Sequence, residues 1–357
     1  MLNVDGIIFT LQRAGGISAI FRSLLGYLNR ENIVTNHLLD GICQQELPQF
    51  SWAVRTQVRK SRSFERYRSC RSGISESKPA FSISSIFHSS YYRIPADLRA
   101  TSVLTVYDFM YERFRKGPPL WVHSIQKEIA IKRAQSIICI SQATLDDLVK
   151  YVGLRSDQKV HVVHCGVSDL FKPIAEGDRE SNFEDPPYML FVGQRGGYKN
   201  FKLALSTLAV LPDFELKCVG GGEFKKTEFE GIPGHVLSRV KHMGFIRDEE
   251  LNILYNRAAC LFYPSSHEGF GIPVIEAMKA GCPVVSINCK AILEIGGGAL
   301  LMVPEQDPIA LAGEVLRSVS SERLHIVNRG IINADKYSWE IANKKTVEIY
   351  KEVGLRC

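Results

Sequence analysis

The 357-residue sequence contains no C-x-x-C pair, and its nine cysteines (Cys43, Cys70, Cys139, Cys165, Cys218, Cys260, Cys282, Cys289 and Cys357) are odd in number and widely spaced. That excludes a zinc or dithiol motif of the usual spacing. Cys139 in SIICIS and Cys260 in AACLFY stand inside apolar runs, as small core residues do, so free buried thiols in a reducing cytosol are expected. No apolar run approaches the roughly eighteen residues of a membrane span. Asp5 in MLNVDGIIFTLQ stands where a signal peptide carries Lys or Arg, which argues against secretion. The G-x-G-x-x-G spacing is absent, which weighs against a classical nicotinamide dehydrogenase. Internal repeats and low-complexity tracts are missing as well.

What is present is an ordinary globular composition, 45% hydrophobic and 23% charged, which rules out a disordered, collagen-like or coiled-coil chain. The length suggests two domains. Short apolar runs alternate with helix-period segments throughout, the pattern of parallel sheets with crossover helices, so the fold class is α/β. Strands are expected near VDGIIF, IVTNHLL, SSIFHS, SVLTVY, SIICIS and VHVVH, with helices near 17–29, 122–135 and 142–152. A second series runs through YMLFVG, FELKCVG, VKHMGF, ACLFYP, PVVSI and ALLMVP, with helices near 200–211, 248–257, 273–280, 307–319 and 339–352. Between the two series, FKPIAEGDRESNFEDPP is polar and aperiodic. The expected organisation is therefore a first nucleotide-fold domain over 1–172, a linker over 173–187, a second such domain over 188–336 and a terminal helix over 337–357. Two doubly wound domains of this kind leave a cleft, and ligands bind beyond the carboxyl ends of their strands.

The charge is local. Residues 51–72 carry Arg55, Arg59, Lys60, Arg62, Arg66, Arg68 and Arg71 against Glu65 alone, which accounts for the whole net charge of +6; the rest of the chain holds 37 basic and 37 acidic residues. The apolar positions 52, 54, 58, 64 and 67 do not share one helical face. A solvated basic loop and peripheral contact with an anionic membrane stand level as readings of this patch, at about 1 kcal/mol per basic residue near such a surface. Nucleic acid is the poorer partner, because nothing else in the chain resembles a nucleic-acid module.

Three glycine-rich turns hold the candidate site residues. Gly15-Gly16-Ile17 lies between strand VDGIIF and the first helix, where bare backbone N–H groups can meet an anion; a tight turn explains a lone GG equally well. In FVGQRGGYKNF, Gly193, Gly196 and Gly197 surround Arg195, and Lys199 follows, so a planar donor fork and a mobile point charge share one turn. In SSHEGFGIPVIEAMKAGCPVV, Glu268 and Glu276 are eight apart around Gly269, Phe270, Gly271 and Ile272. Pro273 favours a helix start there and would place Glu276 in the first turn. Carboxylates at such a point accept hydrogen bonds from sugar or ribose hydroxyls.

The segment from Glu268 to Glu276, with AMKAGCPVV after it, resembles the E-x7-E signature of family 4 retaining glycosyltransferases, whose fold is the two-domain GT-B type. The early GGI turn, GQRGGYKNF, GFIRDEELNILYNRAACLFYPSS and the Ser-Trp-Glu helix extend the resemblance over almost the whole chain; YKNF and EGFGIP resemble the polysaccharide and O-antigen branch, mannosyl- or glucosyltransferases. The resemblance implies that Arg195 and Lys199 grip a donor diphosphate, that Gly15, Gly16 and Gly193 approach the same phosphates, and that Glu276 binds ribose. It further implies that Glu268 binds the transferred sugar and that backbone around Gly244, Phe245 and Ile246 meets the base, with the helix near Trp339 packing on the first domain. No D-x-D occurs, so no divalent metal and no other cofactor is expected. The expected partners are a nucleoside diphosphate sugar, UDP- or GDP-linked, and a glycan or lipid-linked acceptor, with the protein in the cytoplasm or at the inner face of its membrane.

The sequence departs from the family where relatives carry a His, since TVYDFMYERF has Tyr107 followed by Asp108. Tyr is a poor base near neutral pH. Asp108 and His88, at the end of SSIFHS, are the other candidates to assist catalysis, a satisfied strand-end histidine being an equal reading of His88. An epimerase or phosphorylase on the same architecture, or a non-catalytic sugar-nucleotide-binding protein, are the alternatives to a transferase.

Overall fold

The computed structural model describes residues 1–12, 15–40, 49–50, 53–59, 85–95, 99–114, 118–174 and 186–355. The chain divides into two compact units, Met1–Gly166 with Trp339–Cys357, and Val167–Ser338. The second unit therefore begins upstream of the 173–187 stretch read as the linker, and most of that stretch lies outside the described residues.

The first unit contains β1 (Leu2–Asp5), α1 (Ile7–Leu11), α2 (Gly16–Arg30), β2 (Thr35–Asp40), β3 (Val54–Arg59), β4 (Ile86–Ser89), β5 (Thr101–Val106), α3 (Met110–Phe114), α4 (Pro118–Arg133), β6 (Ser136–Cys139), α5 (Gln142–Tyr151) and β7 (Lys159–Val162). Its seven strands are parallel in the order β3-β2-β1-β4-β5-β6-β7. The order reverses between β1 and β4, which is where such a sheet opens a crevice at its carboxyl edge. Helix α2 buries Phe21, Leu24, Leu25 and Leu28, one stripe at helical spacing. Helix α5 is capped by Ser141, whose hydroxyl accepts from Thr144 N–H at 3.0 Å.

The second unit contains β8 (Tyr188–Val192), α6 (Phe201–Val210), β9 (Glu215–Val219), α7 (Gly234–Leu237), β10 (Val240–Gly244), α8 (Asp248–Arg257), β11 (Cys260–Tyr263), α9 (Ile272–Lys279), β12 (Val284–Ile287), α10 (Lys290–Gly296), β13 (Leu301–Val303), α11 (Pro308–Ser318) and α12 (Arg323–Ala334). Its parallel order is β10-β9-β8-β11-β12-β13, with the reversal between β8 and β11. Met189, Phe191, Leu216, Phe262 and Val285 from the strands pack with Phe201, Leu205 and Leu208 of α6 in its core. The last helix, α13 (Trp339–Glu352), belongs to the first unit, where Asn343 Nδ2 donates to Ser23 Oγ of α2 at 2.8 Å.

Two expectations from the sequence need correction. VDGIIF is not one strand: β1 stops at Asp5 and IIFTL turns into α1, so Gly15-Gly16 does not directly follow the strand. Gly6 permits this, since a Cβ there would stand 2.3 Å from His37 Nε2. The basic patch is not wholly a loop, because Val54–Arg59 is a parallel strand paired to β2; residues 51–52 and 60–72 lie outside the described residues. Six described cysteines are free and buried; Cys43, Cys70 and Cys357 lie outside the described residues.

Candidate active site

In the second unit, the reversal between β8 and β11 brings the turn after Val192 beside the turn after Tyr263. The two are laced together: Ser266 N–H and Oγ both donate to Tyr198 O, at 2.9 and 3.2 Å, and Asn200 Nδ2 donates to Pro264 O at 2.9 Å. Across this junction Lys199 Nζ donates to Glu268 Oε1 at 2.5 Å and to the Tyr263 hydroxyl at 2.9 Å, with Nζ 4.7 Å from the Tyr263 ring centre. The two charged side chains are 11% and 10% exposed, so the pair is largely shielded yet still reachable from solvent. Gly193 takes φ +116°, a left-handed backbone that only glycine adopts without strain. A Cβ there would come 3.9 Å from Lys199 Nζ, so this turn passes directly beside the ammonium.

Arg195 stands on the same turn but faces the protein. Its Nε donates to Glu228 Oε1 at 3.0 Å, Nη1 to Gly220 O at 2.8 Å, and Nη2 to Gly222 O and Glu223 O at 2.7 and 3.0 Å. Its charge also lies 4.6 Å from the Phe224 ring centre. Gly220, Gly221 and Gly222 all have positive φ, so their carbonyls wrap the guanidinium as a succession of left-handed residues. In place of the fork toward a diphosphate that the sequence suggests, all three nitrogens hold the loop after β9 in shape.

Glu276 lies in the second turn of α9, one residue beyond the first turn where Pro273 had suggested it, because the helix starts at Ile272 with Gly271 as its cap. Tyr255 of α8 donates to Glu276 Oε2 at 3.1 Å. Burial lifts this carboxyl to about 7; the Tyr255 bond pulls it down and the charge of Asp248 pushes it up. Gly271 has φ +109°, and a Cβ there would stand 2.4 Å from Ile292 Cδ1. Phe270 is buried edge-on against Tyr337, their ring centres 5.9 Å apart. Gly244, at φ +70°, accepts through its carbonyl from Gly220 N–H at 3.0 Å, which sets the next residue, Phe245, 75% exposed. Ile246 beside it is half-buried and Gly269 likewise.

In the first unit, Gly15 is extended and Gly16 is the first residue of α2; Ser18 Oγ donates to Gly15 O at 2.8 Å. His88 is a core residue and not an open base. Nδ1 meets the Tyr350 hydroxyl at 2.5 Å, Nε2 meets Thr105 Oγ1 at 2.8 Å, and burial lowers its pKa to about 3. The Tyr107 hydroxyl donates to Ser90 O at 2.8 Å, and burial, with lesser contributions from neighbouring charges, raises its pKa well above the ordinary value. It too is no base. Asp108 Oδ1 accepts from Met110 N–H at 3.0 Å and so opens α3. Sequence reasoning missed a buried ion pair in this unit, Arg93 with Asp5 at 3.3 Å, and the buried Lys127, which donates to Glu112 Oε2 and to Asp108 O, each at 2.9 Å. It also missed Tyr263 and Tyr255, the hydroxyl partners of Lys199 and Glu276; each is an aromatic residue at the end of, or just before, a strand leading into the signature.

Residues 174–333 match the family model described as glycosyl transferases group 1. O-antigen chain mannosyltransferase B of Escherichia coli is 36% identical over 114 residues, 31% of this chain and 30% of that protein. Phosphatidyl-myo-inositol mannosyltransferase of Propionibacterium freudenreichii is 25% identical over 234 residues, 63% of this chain and 58% of that protein. The chain thus spans less than two thirds of the length of these curated relatives. Among solved structures, sucrose-phosphate synthase from Thermosynechococcus elongatus superposes with a TM-score of 0.76 at 18% identity, covering 99% of this chain and 98% of that one. Anabaena Alr3699/HepE in complex with UDP and glucose gives 0.68 at 14% identity, covering 98% and 99%. The fold is accordingly the GT-B type that the E-x7-E resemblance implies.

Proposed function

From the match of residues 174–333 to the glycosyl transferases group 1 model, we propose that the chain is a retaining, metal-independent transferase of that family. It moves a hexose from a nucleoside diphosphate sugar to a glycan or lipid-linked acceptor in polysaccharide or glycolipid synthesis. The observation that carries this reading is the Lys199–Glu268 pair at the strand-order reversal of the second unit, with Glu276 on the helix that follows. A cation and two carboxylates at such a crevice match a diphosphate and two sets of sugar hydroxyls. The mannosyltransferase names of the sequence relatives make GDP-mannose the first donor to try, with UDP-glucose second.

The chemistry follows from the charges. As the glycosidic bond breaks, the sugar becomes oxocarbenium-like and negative charge grows on the leaving diphosphate; a fixed ammonium at Lys199 stabilises that charge. Glu268 orients the transferred sugar and Glu276 the ribose. Arg195 contributes by fixing Gly220–Glu223, which carries the turn to Gly244 and Phe245 on the base side. The Tyr107 hydroxyl and both His88 nitrogens are committed to other partners, and the leaving phosphate takes the acceptor's proton on the face where the diphosphate departs. No helix among the described residues is long and apolar enough to cross a membrane. The basic residues of 51–72 supply the contact with an anionic leaflet where a lipid-linked acceptor resides, and replacing them with neutral residues abolishes vesicle binding.

The test is to incubate the protein with GDP-mannose or UDP-glucose and an acceptor in EDTA and to follow nucleotide release. Release that depends on acceptor supports the reading. Nucleotide binding without turnover sinks the enzyme and leaves the sugar-nucleotide-binding alternative.

A further inference from the structure

Lys199 and Glu268 are partners within the protein itself. Their turns are pinned to each other by Ser266 and Asn200, so neither backbone has to move for the pair to form. Two of the three ammonium N–H donors are committed, one to the carboxylate and one to the Tyr263 hydroxyl. Tyr263 is 3% exposed and ends β11, where its carbonyl accepts from Ser286 Oγ at 2.9 Å. Its hydroxyl is also in hydrogen-bond reach of Glu268, which together with burial makes it harder to ionise. It therefore accepts from the cation and donates toward the carboxylate, bracing both ends of the pair.

A diphosphate oxygen and the Glu268 carboxylate are alternative acceptors for one ammonium. Sugar hydroxyls are alternative donors to that carboxylate. The third N–H reaches a diphosphate oxygen, but a nucleoside diphosphate that draws the ammonium wholly to itself leaves Glu268, nine-tenths shielded, without its cation, and a shielded charge stripped of its partner is strongly disfavoured. A complete nucleotide sugar supplies the diphosphate and the replacement hydroxyls together.

We propose that the Lys199–Glu268 pair, braced by Tyr263, is an internal competitor that admits the complete nucleotide sugar and expels the nucleoside diphosphate left after transfer. It rests on the donor reading above and adds an order of preference to it. When the hexose departs, Glu268 loses its hydroxyl donors and reclaims Lys199, which loosens the diphosphate. Tyr263 is a positioning residue in this scheme, acting through the pair.

Calorimetric titration with GDP, UDP, GDP-mannose and UDP-glucose separates the outcomes. The wild type binds the complete donor more tightly than its diphosphate. Glu268→Gln keeps the shape and removes the charge, so it binds the free diphosphate at least tenfold tighter than the wild type, about 1.4 kcal/mol, and the advantage of the complete donor disappears. Tyr263→Phe keeps the ring and shifts the same ratio in the same direction by a smaller factor; a merely structural role would weaken both ligands alike. Unchanged diphosphate affinity in Glu268→Gln, with normal wild-type binding, overturns this inference alone. A wild type that binds neither class of ligand overturns the donor reading and this inference with it.

Discussion

Glu276 carries a cost that the free protein has no use for. Its carboxyl is raised from 4.5 to about 7, chiefly by burial. A group whose folded pKa is raised resists ionisation in the folded state, so its contribution is neutral below about pH 4.5, grows more destabilising between 4.5 and 7, and is constant above that. At about 1.36 kcal/mol per unit, the wild type at pH 8 is held back by roughly 3 kcal/mol relative to a neutral group in the same place, falling below about 1 kcal/mol at pH 5. Glu276→Gln keeps the shape and can still accept from Tyr255. The variant should therefore be more stable than the wild type by about 2–3 kcal/mol at pH 8, the two converging by pH 5. Urea unfolding followed by far-ultraviolet circular dichroism measures this. Tryptophan fluorescence does not report on this unit, since Trp52, Trp121 and Trp339 all fall in the first. The same variant should bind nucleotide sugar more weakly, and the wild-type affinity should fall about tenfold from pH 8 to pH 6 as the carboxylate is protonated. A variant no more stable than the wild type at pH 8 would mean that burial does not hold this carboxylate against its ionisation.

His88 and His37 are buried and neutral, with pKa values lowered to about 3 and about 4. Each contributes stability that is present above 6.5 and lost as pH falls, about 2 kcal/mol apiece at pH 5, so the urea midpoint of the first unit, read by tryptophan fluorescence, should drop between pH 7 and pH 5. Gly271→Ala puts a Cβ 2.4 Å from Ile292 Cδ1 at a positive φ, and should cost about 2–4 kcal/mol in unfolding free energy; a change within error would mean that α9 can be re-entered another way. Arg195→Met removes the cation from the carbonyls of Gly220–Glu223 and should raise amide exchange in 219–224 and KM for the donor. Protection unchanged in that loop would count against its role as the loop's anchor.

The strands that were legible in the sequence are those whose apolar runs coincide with burial on both faces, such as Ile137 and Ile138 of β6. VDGIIF misled because its apolar run continues past the point where the sheet ends. The turn at Gly6 depends on His37, a neighbour thirty-one residues away in sequence. Strand β3 is masked in the sequence although Val54, Thr56 and Val58 alternate with Arg55, Gln57 and Arg59, because its basic residues merge with those of 60–72 into what reads as one solvated segment. Helix α12 was missed because Gly330 breaks its propensity; there the bare Cα lies against Met278, 3.4 Å from where a Cβ would sit. In the site, residue types and turns were legible, but side-chain direction was not. Nothing in GQRGGYKNF says that Arg195 is wrapped by carbonyls about twenty-five residues later while Lys199, four positions on, meets Glu268.

In the proposed reaction a hexose leaves a nucleoside diphosphate and reaches an acceptor with its anomeric configuration kept. Proton nuclear magnetic resonance of the reaction with GDP-mannose or UDP-glucose, in EDTA, reads donor loss, free nucleoside diphosphate and the anomeric signal of the product in one time course. A retaining transferase gives an α-linked product formed in step with diphosphate release, and Lys199→Ala loses both. A β-linked product, or donors left intact with every acceptor offered, would contradict the proposed reaction.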